Sequence, residues 1–292
     1  DTIKEMYESY GDSLLQSATV DGKLYAFPNT VIDDGTPLLW LRKDWIDQLG
    51  LKEPETVEEA LEIIGAFVEQ DAAGDGQTIG LACSTDVIAG ADQTYGVDAA
   101  FIHAGAMPCH WILNENGNVV YGSVTEETKA ALSRLRILYE EGILDQRFLL
   151  RKTENIDDLL KTGHCGAIYG RWWAPNNPLS AAYSADSNAE WKPYLLDEDQ
   201  VNETQKIPVF ESYDQWMYVV VRKGYKHPEI VAKYVSAIFD QSRYANDASA
   251  SELNDYFSIN VDPTARPLNI NVDYEDALYR TTEHIQAALD KT

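Results

Sequence analysis

Residues 163–175 constrain the fold most tightly. Gly163 and Gly170 bracket a short apolar strand that runs straight into Arg171-Trp172-Trp173 and breaks at Pro175. Adjacent residues on a strand point to opposite faces, so the two indoles cannot both join one core face. At a strand exit one ring can pack while the other stands open, with Asn176 and Asn177 beside it. Taken alone, the pair reads as core filling, since Trp is usually well buried. An open indole at this position would instead be a stacking surface.

A second run, Leu38-Leu39-Trp40-Leu41, is apolar without alternation, as expected of a strand buried on both faces. Around these strands the helical period recurs. A short helix over 43–49 is closed by Gly50. Thr56 and Glu59 form a capping-box signature for a helix with Val57, Ala60, Leu61, Ile64, Phe67 and Val68 on one face. Further elements are a strand over 78–83, a helix over 97–104, and a hairpin of 111–113 and 119–121 turned at Asn116-Gly117. Thr125 caps a long helix with Leu132, Leu135, Leu138 and Tyr139 inward. A short helix follows over 156–160, where Asp157 and Asp158 sit at the favourable end of the dipole.

Nearer the ends, 3–15 reads as helix and 23–28 as a short strand. Residues 186–206 read as an irregular polar excursion and 217–221 as a buried strand. Pro228 opens a helix with Ile230, Val231, Tyr234, Val235, Ile238 and Phe239 as its stripe. Residues 262–271 read as extended, and 274–289 as a last amphipathic helix. Strands alternating with helices define an α/β chain. Trp40, Trp45 and Trp191 are assigned to structure.

With 292 residues and 45% hydrophobic content, the chain can bury a sizeable core and split into two lobes. Its 48 acidic against 23 basic residues give a net charge of -25. Such a field repels phosphate backbones and anionic membrane surfaces, so no nucleic-acid role is expected. No apolar run reaches the length of a membrane span. Cys83, Cys109 and Cys165 are widely spaced and odd in number, which points to buried free thiols. The histidines lack metal-ligand spacing, and no cofactor or metal is expected. Neither a GxSxG elbow nor a phosphate-binding glycine loop is present.

The ordered set of motifs resembles the bacterial family 1 extracellular solute-binding proteins, the maltose-binding-protein-like capture subunits of ATP-binding-cassette importers. The residues that carry it are Asp21-Gly22-Lys23-Leu24-Tyr25-Ala26-Phe27-Pro28, the segment 38–50 with Arg42-Lys43-Asp44-Trp45, and Pro54-Glu55-Thr56. To these are added 111–121, Tyr139-Glu140-Glu141-Gly142, 163–173 and Lys226-His227-Pro228-Glu229. The similarity runs through nearly the whole chain in the right order, and it extends to the large Gram-positive lipoproteins of oligosaccharide uptake. It implies a type II periplasmic-binding-protein-like α/β fold of two lobes joined by hinge crossings, with lobe 1 incomplete. Residues 1–36 are then a lobe 1 remnant and first crossing, 37–212 lobe 2, 213–250 a returning strand and helix of lobe 1, and 251–292 a C-terminal segment. Some relatives carry a calcium loop where this chain has residues 71–82. Asp71, Asp75 and Gly76 match, but Ala73 and Ala82 replace two oxygen ligands, so a plain turn is expected.

The resemblance implies capture of a small molecule, an oligosaccharide foremost, by hinge closure, and handover to a membrane permease by a monomeric, non-enzymatic protein. It would be held outside the cell membrane as a lipoprotein whose signal lies upstream of Asp1. Sugars present apolar C–H faces and polar rims, which aromatic platforms and Asp, Asn and Arg groups recognise. The candidates are Trp172 and Trp173 with Arg171, the segment Tyr213, Asp214 and Trp216, the crossing residues Asp33, Asp34 and Thr36, and Asp92. Trp172 is the foremost of these by the resemblance. Arg171 has a second reading as a salt-bridge partner. Two other functions stay open: a carbohydrate-active hydrolase using a carboxylate pair, and a binder of peptides or other small solutes.

Overall fold

The structure, a computed structural model, describes residues 2–30, 37–88, 94–114, 116–196, 217–243, 268, 270 and 272–291. The chain divides into two compact units, Asp1–Asp33 with Ser212–Thr292, and Asp34–Glu211, so it passes from one to the other twice.

In the first unit, Gly11 (φ 65°) breaks the expected N-terminal helix into α1 (Thr2–Ser9) and α2 (Ser13–Ser17). Strands β1 (Thr19–Val20) and β2 (Lys23–Leu24) form a small hairpin through Asp21 and Gly22, both at positive φ, so the expected single strand is divided. The remaining piece, β3 (Ala26–Pro28), pairs elsewhere.

The second unit is built on a four-stranded sheet. Its strands are β4 (Leu38–Arg42), β5 (Ile79–Leu81), β8 (Cys165–Gly170) and β9 (Trp191–Tyr194), in the order β5-β8-β4-β9. Only β5 and β8 run parallel. The register Leu39↔Tyr169, Trp40↔Ile168 and Leu41↔Ala167 sends successive residues to opposite faces. Leu39, Leu41, Ala167 and Tyr169 enter one core with α3 (Lys43–Gln48), α4 (Val57–Glu69), α5 (Asp98–His103) and α6 (Glu126–Glu140). Trp40, Ile168 and Trp191 enter a second core with α7 (Thr153–Lys161) and α8 (Ser180–Ala185). Helices on both faces of a central sheet explain the unbroken apolar runs of β8 and of Leu38–Leu41 in β4.

Local signals behave as their chemistry dictates. Thr56 Oγ1 accepts from Glu59 N at 3.2 Å, while the Glu59 carboxylate reaches back one residue further than a standard capping box, to Glu55 N at 2.7 Å. The β-hairpin of β6 (Trp111–Leu113) and β7 (Val119–Tyr121) forms as expected, with Gly117 at positive φ.

Several expectations are corrected. The excursion at 186–206 contains β9, which is tolerated as a strand despite Pro193 because it lies at the sheet edge. In α6 the buried stripe is Thr128, Ala131, Leu135 and Leu138, leaving Leu132 and Tyr139 exposed. Helix α7 starts at Thr153, so Asp157 and Asp158 lie mid-helix rather than at its charged end. Cys83 and Cys165 are buried free thiols, but Cys109 is exposed.

Back in the first unit, β10 (Tyr218–Val220) pairs antiparallel with β3, Phe27 opposite Val219. It exposes alternate residues, Tyr218 and Val220, and so is not buried on both faces. Helix α9 (Ile230–Arg243) begins two residues past Pro228; Val231 and Val235 are buried with Met6, Tyr7, Leu14 and Val272, and Ile230 is exposed. Tyr7 donates to Pro28 O at 2.9 Å, and burial pushes its hydroxyl up to about 12. The last helix, α10 (Ala277–Leu289), buries no residue.

Candidate functional site

Strand β8 is buried along its whole length and delivers the chain to Arg171. From there the backbone folds into consecutive turns: Ala174 N donates to Arg171 O at 3.0 Å, Asn176 N to Trp173 O at 2.8 Å, and Leu179 N to Ala174 O at 2.8 Å. Ala174 and Leu179 anchor these turns in the second core. The consequence is a divided fate for the three residues. Arg171 is buried at 4% exposure, Trp173 is half-buried, and Trp172 stands 45% exposed. The indoles meet edge to face, centroids 5.6 Å apart at 85°. The Arg171 guanidinium carbon lies 5.9 Å from the Trp173 ring centroid, within cation–π range.

Arg171 also forms part of the wall of an open pocket within the second unit, with a cavity volume of only about 30 Å³. Apolar residues dominate the lining, with Phe101 and Ile102 from α5 and with Met107 and Pro108 from the loop that follows. Asp98 and His110 join Arg171 as its ionisable groups. His110 is held by its ring Nδ1, 2.8 Å from Pro108 O. Its lining, apolar with a few polar groups, has the composition of a small-molecule site, in a cavity far below the roughly 300–1,000 Å³ that such sites enclose.

Of the ten sequence candidates, the structure brings Arg171, Trp172 and Trp173 together at one strand exit. Asp33, Asp34, Thr36, Asp92, Tyr213, Asp214 and Trp216 lie outside the described residues. Phe101, His110 and Asp98 were not foreseen. They come from a short helix and a Gly- and Pro-containing loop that only tertiary packing brings to Arg171.

Close by, Tyr95 is fully buried at φ 72° and donates its hydroxyl to Asp157 Oδ1 at 2.5 Å. Burial first, then this bond, push the phenol above its ordinary range. Its backbone is tied to Tyr169 O and Ser84 N, so it braces the strand end that carries Arg171.

The expected turn at 71–76 is closed by the protein's own donors. Gly76 N and Thr78 Oγ1 bond separate oxygens of Asp71 at 2.8 and 2.7 Å, and His164 Nε2 lies 2.9 Å from Asp75 Oδ2. Among the described residues, no group of three or more acidic, His or Cys side chains could hold a metal ion.

No family model matches the chain. It is 32% identical over 161 residues to the polygalacturonan/rhamnogalacturonan-binding protein YtcQ of Bacillus subtilis (strain 168), a match spanning 53% of this chain and 30% of that protein. It is 26% identical over 134 residues to the fructooligosaccharide ABC transporter substrate-binding protein FusA of Streptococcus pneumoniae, 43% of this chain and 25% of that protein. The solved structure of FusA from S. pneumoniae in complex with kestose superposes with a TM-score of 0.57 at 18% identity, covering 84% of this chain and 52% of that one. An HMO-binding ABC-transporter-associated solute-binding protein from Bifidobacterium longum infantis does so equally, with a TM-score of 0.57 at 18% identity over 82% of this chain and 50% of that one. The fold is therefore α/β of the type II periplasmic-binding-protein-like class. The chain is thus similar, over part of its length, to a polysaccharide-binding protein and to an ABC transporter substrate-binding protein, in keeping with its resemblance to solute-binding protein family 1. It spans about half the length of these solved structures and under a third of these curated relatives.

Proposed function

We propose that the chain is part of the solute-capture component of an ABC importer for an oligosaccharide. The observation that carries this reading is the strand exit itself: Trp172 open, Trp173 half-packed, and Arg171 shared with a pocket. Trp172 would stack on the apolar face of a sugar ring, and Arg171, Asp98 and His110 would meet its hydroxyls. The sugar-binding relatives support that ligand class. In this reading Trp173 positions the other two and makes lesser ligand contact. Asp33, Asp34, Thr36, Asp92, Tyr213, Asp214 and Trp216 remain proposed ligand contacts on the family resemblance.

The protein binds without chemistry, acts as a monomer and hands its ligand to a membrane permease. It works outside the cytoplasm, anchored to the membrane as a lipoprotein. The double passage of the chain between its two units supports closure by hinge bending. Thermal shift of the full chain against malto-, fructo- and galacturono-oligosaccharides tests the ligand class. Stabilisation by one of these, lost in Trp172→Ala, is the expected result. Stabilisation by peptides alone would refute it, and glycan turnover abolished by replacing a carboxylate would make the protein a hydrolase. Small-angle scattering that is identical with and without saturating ligand would refute closure.

A further inference from the structure

Beside the pocket stands a surface that the reading above leaves unused. Cross-strand pairing in the β6–β7 hairpin sets Trp111 opposite Tyr121 and Leu113 opposite Val119, which puts all four side chains on one face. That face is open to solvent: Trp111 is 71% exposed and Leu113 70%. The Trp111 and Tyr121 rings form a single tilted surface, centroids 5.2 Å apart at 50°. Ile112 and Val120 turn the other way and are half-buried, so the hairpin has its packed side already.

The hairpin is fixed to the pocket wall. Gly122 N donates to His110 O at 2.8 Å, and Cys109 N donates to Ser123 Oγ at 2.7 Å. Gly122 approaches so closely that a Cβ there would stand 1.9 Å from Met107 O. Met107, Pro108 and His110 line the pocket, and Trp111 is the next residue along the chain. At the far end Asn114 Oδ1 accepts from both Asn116 N and Asn118 N.

Charge selects the occupant. In a chain of net charge -25, residues 110–124 carry one charged side chain, Glu115, against three asparagines and a serine. A neutral aromatic face with an amide rim matches an uncharged sugar ring, whose C–H face stacks and whose hydroxyls hydrogen-bond.

We propose that the Trp111–Tyr121 face is a second stacking platform that extends the pocket, taking a further ring of a neutral oligosaccharide. The proposal rests on the sugar-capture reading and adds to it a ligand longer than the pocket alone would hold. The test is calorimetric titration of the full chain with malto- and fructo-oligosaccharide ladders, from the disaccharide upward. In the parent protein, affinity rises with chain length. In Trp111→Ala the rise is cut by about tenfold for the longer members, as loss of a stacked ring implies, while the shortest binds as before and Trp111→Phe restores part of the gain. Equal length profiles in parent, Trp111→Ala and Tyr121→Ala would overturn the platform and leave the capture reading standing. So would concentration-dependent self-association that Trp111→Ala abolishes with sugar affinity unchanged, since the face would then join two copies. Binding of oligogalacturonides alone would overturn the neutral assignment. If no glycan binds the parent protein, the capture reading fails and the platform with it.

Discussion

Trp45 stands edge-on to Phe67, ring centroids 5.3 Å apart at 85°, and together the two rings fill the space over Gly166. A Cβ at residue 166 would lie 2.6 Å from Phe67 Cδ2 and 2.9 Å from Trp45 Cζ3. Both rings belong to the buried core and neither can swing away freely. Gly166→Ala is therefore expected to destabilise the second unit by about 2 kcal/mol through overpacking. A urea unfolding midpoint equal to that of the parent protein would show that the rings can move aside.

Trp172 and Trp173 are neighbours with opposite duties, and truncating each should separate them. Trp173→Ala removes a half-buried ring that contacts both Trp172 and Arg171, for an expected loss of about 2 kcal/mol of stability. Trp172→Ala removes an exposed ring, so stability should change by less than about 0.5 kcal/mol. Its cost falls on binding, on the order of tenfold for a stacked sugar. Thermal melts and titrations of the two variants would decide; a Trp172→Ala protein that melts well below the parent would make that ring structural.

The contrast also shows what sequence pattern can and cannot carry. Strands β4 and β8 were legible because burial on both faces leaves an unbroken apolar run, and the strand exit was legible because Arg171-Trp172-Trp173 breaks that run abruptly. Strand β9 was not, since Pro193 and polar neighbours hide an edge strand whose pairing is set by β4. The stripe of α6 was misjudged because Ala131, a small residue, takes the buried place that the larger Leu132 would claim by hydrophobicity. Asp157 was placed by an assumed helix start, when its structural role is to accept from Tyr95, 62 residues away in sequence. The pocket's Phe101 and His110 carry no spacing signal at all, because their approach to Arg171 is made by the packing of α5 and its following loop.

The loop at 71–76 gives a prediction about ions. Both Asp71 oxygens already accept, from Thr78 Oγ1 and Gly76 N, and these bonds, Thr78's foremost, hold that carboxyl below its ordinary range. The hydrogen bond from His164 does the same for Asp75. A cation would have to displace these donors without the two oxygen ligands that Ala73 and Ala82 replace. Millimolar calcium should leave the melting temperature unchanged relative to chelator, whereas Asp71→Ala should lower it by unfastening the turn. A calcium-dependent rise in the parent protein, absent in Asp71→Ala, would reverse this assignment.

Alkaline pH should weaken the second unit through its buried thiols. Desolvation pushes Cys83 and Cys165 from an ordinary 9.0 up to about 12, chiefly because their thiolates would be stranded in apolar surroundings. A raised folded-state value means the folded form keeps its proton where the unfolded form has lost it. The contribution is therefore complete below about 9 and is lost as pH climbs from there toward 12. Tyr169, buried and pushed up to about 12, adds to the same trend from an ordinary 10.0. Urea unfolding at successive pH values should show stability falling over this range. The fall should be shallower in Cys165→Ala, which has one fewer proton to release on unfolding. An identical slope in the variant would mean that the Cys165 thiol does not contribute to it.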